Sequence, residues 1–160
     1  MNQCLLIAAV LAAIQAAIAF AVWRFAVKPQ QRPLKVRLLS AFFGALAAAI
    51  VARPLVEAVI LSLGYIQEAA GMMSLFTFYS FLPLTVGISG WLFSEVYGGR
   101  SAKPWRGLIF GIAGGFLGSV LVIGALLGAK LHLPAAVGFA LLFGIPSALS
   151  TAGIWRAARV

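Results

Sequence analysis

Long apolar stretches separated by short polar connectors constrain the fold of this sequence more than any other feature. A helix needs about 20 apolar residues to cross a hydrocarbon core of about 30 Å. Of the 160 residues, 63% are hydrophobic and only 9% are charged, whereas about 25% of a typical soluble domain is charged. This composition leaves little chain for a soluble domain. We therefore predict an all-α, polytopic helix bundle that is integral to a membrane.

Five membrane spans are predicted, and together they form a single domain over residues 1–160. The stretches are rich in Ala, Leu and Gly and do not alternate between apolar and polar residues, so helices are favoured over the strands of a membrane barrel. The connectors are too short to separate domains. The predicted spans cover about residues 5–27, 38–65, 72–93, 107–129 and 134–155.

Basic residues in the loops predict the orientation of the chain. Lys and Arg in short loops are retained on the cytoplasmic side, and the basic connectors 28–37 and 94–106 lie on the same side of a five-span chain. The N-terminus is then outside and the C-terminus inside. This pattern, with the high Ala and Gly content, suggests a bacterial inner membrane. The basic loop residues are Lys28, Arg32, Lys35, Arg37, Arg100, Lys103 and Arg106.

The net charge of +9 does not indicate nucleic-acid binding, because the basic residues are scattered over juxtamembrane segments without interleaved aromatic residues. The simplest interpretation is that they retain the loops in the cytoplasm and contact the anionic headgroups of the lipid bilayer. A second interpretation, that an anionic ligand or partner docks against residues 28–37, stays open.

Small residues in the fourth span predict close helix packing. Missing side chains let another helix approach, and packing rather than hydrophobicity drives helices together in lipid. The contact could lie within one chain, or it could be an interface with other membrane subunits or with other copies in a homo-oligomer. The predicted helix-packing residues are Gly107, Gly111, Gly114, Gly115 and Gly118.

Two charged residues lie inside the second apolar stretch, where charge is expensive. Arg53 and Glu57 are four residues apart, so on a helix they share a face and can pair. A charged side chain at the bilayer centre costs about 2.5–3.5 kcal/mol on insertion scales, and such residues often mark transport paths. Gln15, in the middle of the first span, extends this predicted intramembrane polar site.

An interfacial interpretation of the same pair competes evenly with the buried one. If the second span begins near Leu38, about 20 helical residues already reach Glu57, and both charged side chains can extend to the outer headgroups. The segment from Pro54 onward would then be an amphipathic helix on the outer surface. The sequence allows either arrangement.

Prolines within three spans predict helix kinks that could accompany a polar site. Proline removes a backbone donor and leaves the carbonyl four residues earlier unpaired. Hydroxyl side chains in the third and fifth spans could then join a buried polar network. The predicted kinks are at Pro54, Pro83 and Pro146, and the hydroxyl groups belong to Ser80, Thr85, Ser147, Ser150 and Thr151.

The inventory of reactive side chains does not favour catalysis. The chain has three Glu, no Asp, and a single Cys and His, and no helix carries a metal-ligand spacing. We therefore predict no catalytic residue, no metal and no cofactor. Glu95 is expected to pair with Arg100 or a neighbouring basic residue as a surface ion pair.

Three functions fit these features. The first, which we favour because it accounts for the charged pair, is a small channel or transporter component for a small solute, ion or lipid, with Arg53 and Glu57 as its polar site. The second is a non-catalytic subunit or assembly factor of a larger inner-membrane complex. The third, and weakest, is a lipid-active enzyme that uses Glu57.

Overall fold

The computed structural model describes residues 2–27, 32–65, 67–128 and 134–159, and within these ranges the chain forms five α-helices. Lys28 and the single histidine, His132, lie outside the described residues. Each helix is long and apolar enough to cross a membrane. The helices are α1 (Asn2–Ala26), α2 (Leu34–Ser62), α3 (Gln67–Gly98), α4 (Pro104–Gly128) and α5 (Ala135–Arg159).

The five helices agree with the five predicted spans in number and order, but their ends differ by up to five residues. Helix α3 was expected to end at Phe93, before the first charge, and instead continues through Glu95 to Gly98. Helix α2 begins at Leu34 and ends at Ser62, because the chain turns at Gly64, whose φ is 85°. A positive φ is a backbone conformation that glycine adopts without steric cost.

Helix α3 lies at the centre of the bundle and contacts all four other helices. Helices α2 and α4 each pack against α3 and α5, whereas among the described residues α1 has close backbone contacts with α3 only. The main core lies where α2, α3 and α5 meet and includes Val56, Phe78 and Phe143. The order of packing therefore differs from the order of the helices in the sequence.

The glycines of α4 lie at contacts within the chain, and they face two different helices. Toward α3, a methyl group on Gly107 would lie 3.2 Å from the Trp91 ring, and one on Gly115 would lie 2.9 Å from the Pro83 carbonyl oxygen. Toward α5, a methyl group on Gly118 would lie 2.6 Å from the Pro146 Cα atom. Gly111 lies against both α3 and α5, and Gly114 lies against Leu149 and Ser150 of α5.

The three prolines lie inside continuous helices: Pro54 in α2, Pro83 in α3 and Pro146 in α5. Pro83 and Pro146 are opposite Gly115 and Gly118 of α4. A glycine on the facing helix leaves room for the two backbones to approach at each of these prolines. These prolines are thus part of the helix packing around α4.

Candidate functional site

The charged side chains of this chain lie in two contrasting environments, and the first is at one end of the bundle. We call it the basic end. It contains the end of α1 with Trp23, the start of α2 with Arg37, the end of α3 with Glu95 and the start of α4 with Arg106. The Glu95 side chain is only 3% exposed and forms an ion pair with Arg37, with 2.5 Å between Oε1 and Nη2. This carboxylate is therefore almost completely removed from solvent.

Four donors satisfy the Glu95 carboxylate. Besides Arg37, the Ser101 hydroxyl donates to Oε1 at 2.7 Å, and the Ser101 backbone N–H donates to Oε2 at 2.9 Å. The Trp23 indole N–H donates to Oε2 at 3.3 Å. A buried charge is tolerated when its partner and its remaining lone pairs are all matched in this way. One carboxylate thus joins α1, α2, α3 and the connector that follows α3.

The end of α3 explains how the connector returns to Glu95. Gly99 has a φ of 83°, and its N–H donates to the Glu95 carbonyl oxygen at 2.9 Å. This is the left-handed cap that ends many helices. Because the backbone reverses at Gly99, Ser101 can reach the side chain of a residue six positions earlier.

The contacts of Arg37 and Arg100 at this end differ from those predicted from the sequence. Arg37, not Arg100, pairs with Glu95, and its guanidinium also donates to the Gly99 carbonyl oxygen at 3.1 Å. The Arg100 guanidinium lies 4.1 Å from the centre of the Trp23 ring, where a cation is attracted to the π face. Glu95 is therefore a buried residue that connects neighbouring helices, and it does not form the predicted surface ion pair with Arg100.

The other basic loop residues make few contacts. Arg32 donates its backbone N–H to the Gly98 carbonyl oxygen, while its side chain and those of Lys35 and Lys103 are exposed. The Arg106 guanidinium lies 5.4 Å from the centre of the Trp105 ring. Most of these positive charges remain available to anions at the basic end.

The second charged region is the C-terminal part of α2, and the charged side chains there are exposed on the surface of the chain. Arg53 and Glu57 both point away from the core, and the Arg53 guanidinium lies 5.9 Å from the centre of the Phe139 ring of α5. Within the described ranges, the ion pair Arg37–Glu95 is the only one. Arg53 and Glu57 thus share a helix face without an ion pair between them.

Gln15 does not join Arg53 and Glu57. Its side-chain amide donates to the Ser89 hydroxyl at 2.8 Å and to the Thr85 carbonyl oxygen at 3.3 Å, so it connects α1 to α3. Its carbonyl oxygen is buried without a hydrogen-bond partner in the described structure. Because α1 and α2 have no close backbone contact, the structure separates Gln15 from the charged pair.

The hydroxyl side chains do not form a continuous polar network. Ser80, Ser147 and Thr151 each donate to the carbonyl oxygen four residues earlier in their own helix. Such bonds satisfy a hydroxyl locally. Thr85 contributes its backbone carbonyl, and the Ser150 hydroxyl is buried without a hydrogen-bond partner in the described part of the chain. Among these five residues, no hydrogen bond joins one side chain to another in the described structure.

The described residues contain no group of three His, Cys, Asp or Glu side chains that could hold a metal ion. The sequence analysis missed the cluster around Glu95, although Trp23, Arg37 and Glu95 all lie near span ends on one predicted side of the membrane. That shared depth was the available signal. No family model, curated protein or solved structure matches this chain.

Proposed function

We propose that this chain is a non-catalytic component of a larger assembly in a bacterial inner membrane, where a partner covers the outer part of α2. The observation that carries the proposal is the exposure of Arg53 and Glu57 on the otherwise apolar stretch 41–61 of α2. Charged residues in membrane spans usually pair or face protein and water rather than lipid. This chain supplies no ion partner for them among its described residues, so we propose that a second protein supplies one.

The spacing along α2 suggests the depth of this contact. Arg53 and Glu57 lie about 24 Å and 30 Å from Arg37 at about 1.5 Å of helix rise per residue. With the basic end at the inner boundary of a core about 30 Å thick, Glu57 reaches the outer boundary and Arg53 lies about one turn below it. The partner would then meet this helix near the outer surface, where the competing contact for both side chains is the lipid headgroups.

The packing of the bundle supports an interaction role over transport through a single chain. Glycines of α4 bring its backbone against α3 and α5, and the hydroxyl groups of Ser80, Ser119, Ser147 and Thr151 donate to carbonyl oxygens of their own helices. A transport path needs polar groups that face a common cavity. The proposed protein partner is either a second copy of this chain or another membrane subunit. The basic residues contact the anionic headgroups of the lipid. The proposal includes no nucleic acid.

The test is a comparison of cysteine labelling in two membranes. Single cysteines at positions 53 and 57, in a Cys4→Ser background, are treated with a membrane-impermeant maleimide. If a partner covers α2, both positions react several-fold more slowly in native membranes than in vesicles that contain only the purified chain at low density. Protection that returns at high density in the vesicles identifies the partner as a second copy.

Leu63→Cys provides the matched control, because Leu63 is 58% exposed at the end of the same helix. Its labelling should be equal in both membranes. Equal labelling of positions 53 and 57 in native membranes and in dilute vesicles would contradict the proposal.

The second candidate is a channel or transporter component for a small solute, ion or lipid. The same exposed pair favours it, because a path formed between copies of the chain could be lined by Arg53 and Glu57. In that case purified protein reconstituted into vesicles conducts a solute, and Arg53→Ala or Glu57→Gln abolishes the flux without changing the helical content. Flux that is absent from the wild type, or unchanged in both variants, rejects this role.

A further inference from the structure

An apolar groove runs along the outside of the bundle between α2 and α5 at the basic end. It has a volume of about 520 Å³. Its walls are carbon-rich, since Thr151 uses its hydroxyl proton in a bond to the Ser147 carbonyl oxygen. The lining residues are Lys35, Leu38, Leu39 and Phe42 from α2, and Ala148 and Thr151 from α5.

Lys35 is the only charged residue of this lining, and it lies at the end of the groove nearest the start of α2. Its side chain is exposed and has no carboxylate partner within the described ranges. Arg37, two residues later, is already paired with Glu95. The groove therefore combines a long apolar wall with one free positive charge at its end.

We propose that this groove binds one anionic phospholipid of the surrounding leaflet. An acyl chain lies along Leu38, Leu39 and Phe42, and the phosphate contacts the Lys35 ammonium. Basic pockets between membrane helices on the cytoplasmic side are known sites for anionic headgroups. The groove is at the opposite end of α2 from Arg53 and Glu57, so the inference does not depend on a partner at those residues.

Charge complementarity favours a lipid over a helix of another protein. A phospholipid has its negative charge at one end and hydrocarbon along the rest, and this order matches Lys35 followed by Leu38, Leu39 and Phe42 along α2. A membrane helix would have to place an acidic residue at the single depth of Lys35. Such residues are rare in spans, whereas anionic headgroups are present at that depth throughout a leaflet.

The test uses the purified 160-residue chain and native mass spectrometry with an equimolar mixture of phosphatidylglycerol and phosphatidylcholine. The wild type should retain phosphatidylglycerol in preference to phosphatidylcholine. Lys35→Gln should lower the ratio of the two adducts about fivefold, the factor for one basic residue near an anionic surface. Lys35→Arg should keep the preference, which shows that the charge and not the fold is responsible.

Two matched controls separate a site from general attraction. Lys103 is exposed at the same end but does not line the groove, so Lys103→Gln should leave the ratio unchanged. Ala148→Trp fills the groove and should reduce retention of both lipids, while Ala113→Trp, on the exposed surface of α4, should not.

Three results would overturn the proposal. They are a wild type without preference, an equal loss in Lys35→Gln and Lys103→Gln, and unchanged lipid retention in Ala148→Trp. If instead the wild type forms a dimer without retained lipid and Ala148→Trp converts it to a monomer, the occupant is a second copy of the chain.

Discussion

The two glutamates with described side chains, Glu95 and Glu57, belong to equally apolar helices and yet have opposite environments. Glu95 is buried and accepts hydrogen bonds from Arg37, Trp23 and Ser101. Glu57 is exposed and forms no ion pair within the described ranges. The difference shows that the role of a charge in an apolar helix depends on which donors the neighbouring elements bring to it. Hydropathy alone does not separate a structural clamp from a contact surface.

Removing each carboxylate should give the largest contrast between the two ends. Glu95→Ala leaves the largely buried Arg37 guanidinium, 13% exposed, without its ion partner, so we expect the free energy of unfolding to fall by about 3–5 kcal/mol. Glu57→Ala should change it by no more than about 0.5 kcal/mol, as for other exposed positions. Reversible unfolding of the purified chain in mixed micelles measures both values. Similar losses in the two variants would show that the ends do not differ.

A double-mutant cycle at each end sharpens the same comparison. The coupling energy between Arg37 and Glu95 should be about 1–3 kcal/mol, as found for residues in direct contact within one network. Arg53 and Glu57 should couple by less than about 0.5 kcal/mol, as for exposed pairs four residues apart on a helix. The cycles use the same micelle assay and conservative replacements by Met and Gln. A coupling above about 1 kcal/mol at positions 53 and 57 would mean that they pair after all.

Two glycine substitutions compare a glycine in a left-handed conformation with a glycine inside a helix. Gly99→Ala forces a side chain into a left-handed conformation, and we expect a loss of about 1–2 kcal/mol. Gly124 is helical and nothing lies within 4 Å of the position a methyl group would occupy, so Gly124→Ala should stabilise the chain by roughly 0.5–1 kcal/mol. Thermal unfolding followed by circular dichroism should move in opposite directions for the two variants. A stabilising Gly99→Ala would contradict the proposed role of the α3 cap.

The smallest expected effect concerns one donor to Glu95. Trp23→Phe keeps an aromatic ring beneath Arg100 but removes the indole N–H, whose bond to the carboxylate is 3.3 Å long. We expect a loss of about 1 kcal/mol. The loss should disappear when Glu95 is already replaced by Gln and Arg37 by Met, and a loss of the same size in that background would assign it to ring packing instead.

The number, order and approximate extent of the helices could be predicted from hydropathy, because each helix is a single apolar stretch. Their ends could not. Glu95 looked like a span boundary because charges usually stop a hydrophobic stretch, but its donors come from α1, α2 and the next connector, which only the fold brings together. The end of α2 depends on the positive φ of Gly64, a conformation that a glycine permits but does not require.

The candidate site was harder to predict than the fold. Arg53 and Glu57 could be singled out as unusual, but their exposure depends on which face of α2 packs against α3 and α5, and the even apolar character of α2 does not mark that face. The α4 glycines could be identified as packing positions. Their partners could not, since each glycine lacks a side chain that would distinguish α3 from α5.

The contact between α1 and α3 has a consequence for biogenesis. If the helices enter the membrane in the order of the chain, α1 and α2 arrive before α3, the helix with which both have close backbone contacts. Trp23 and Arg37 are then synthesised well before Glu95, so the Arg37 guanidinium remains without its carboxylate until the end of α3 leaves the ribosome. The contacts that join α1, α2 and α3 at the basic end are therefore completed only when Glu95 and Ser101 arrive, and a chain interrupted before that point would carry an unmatched charge there.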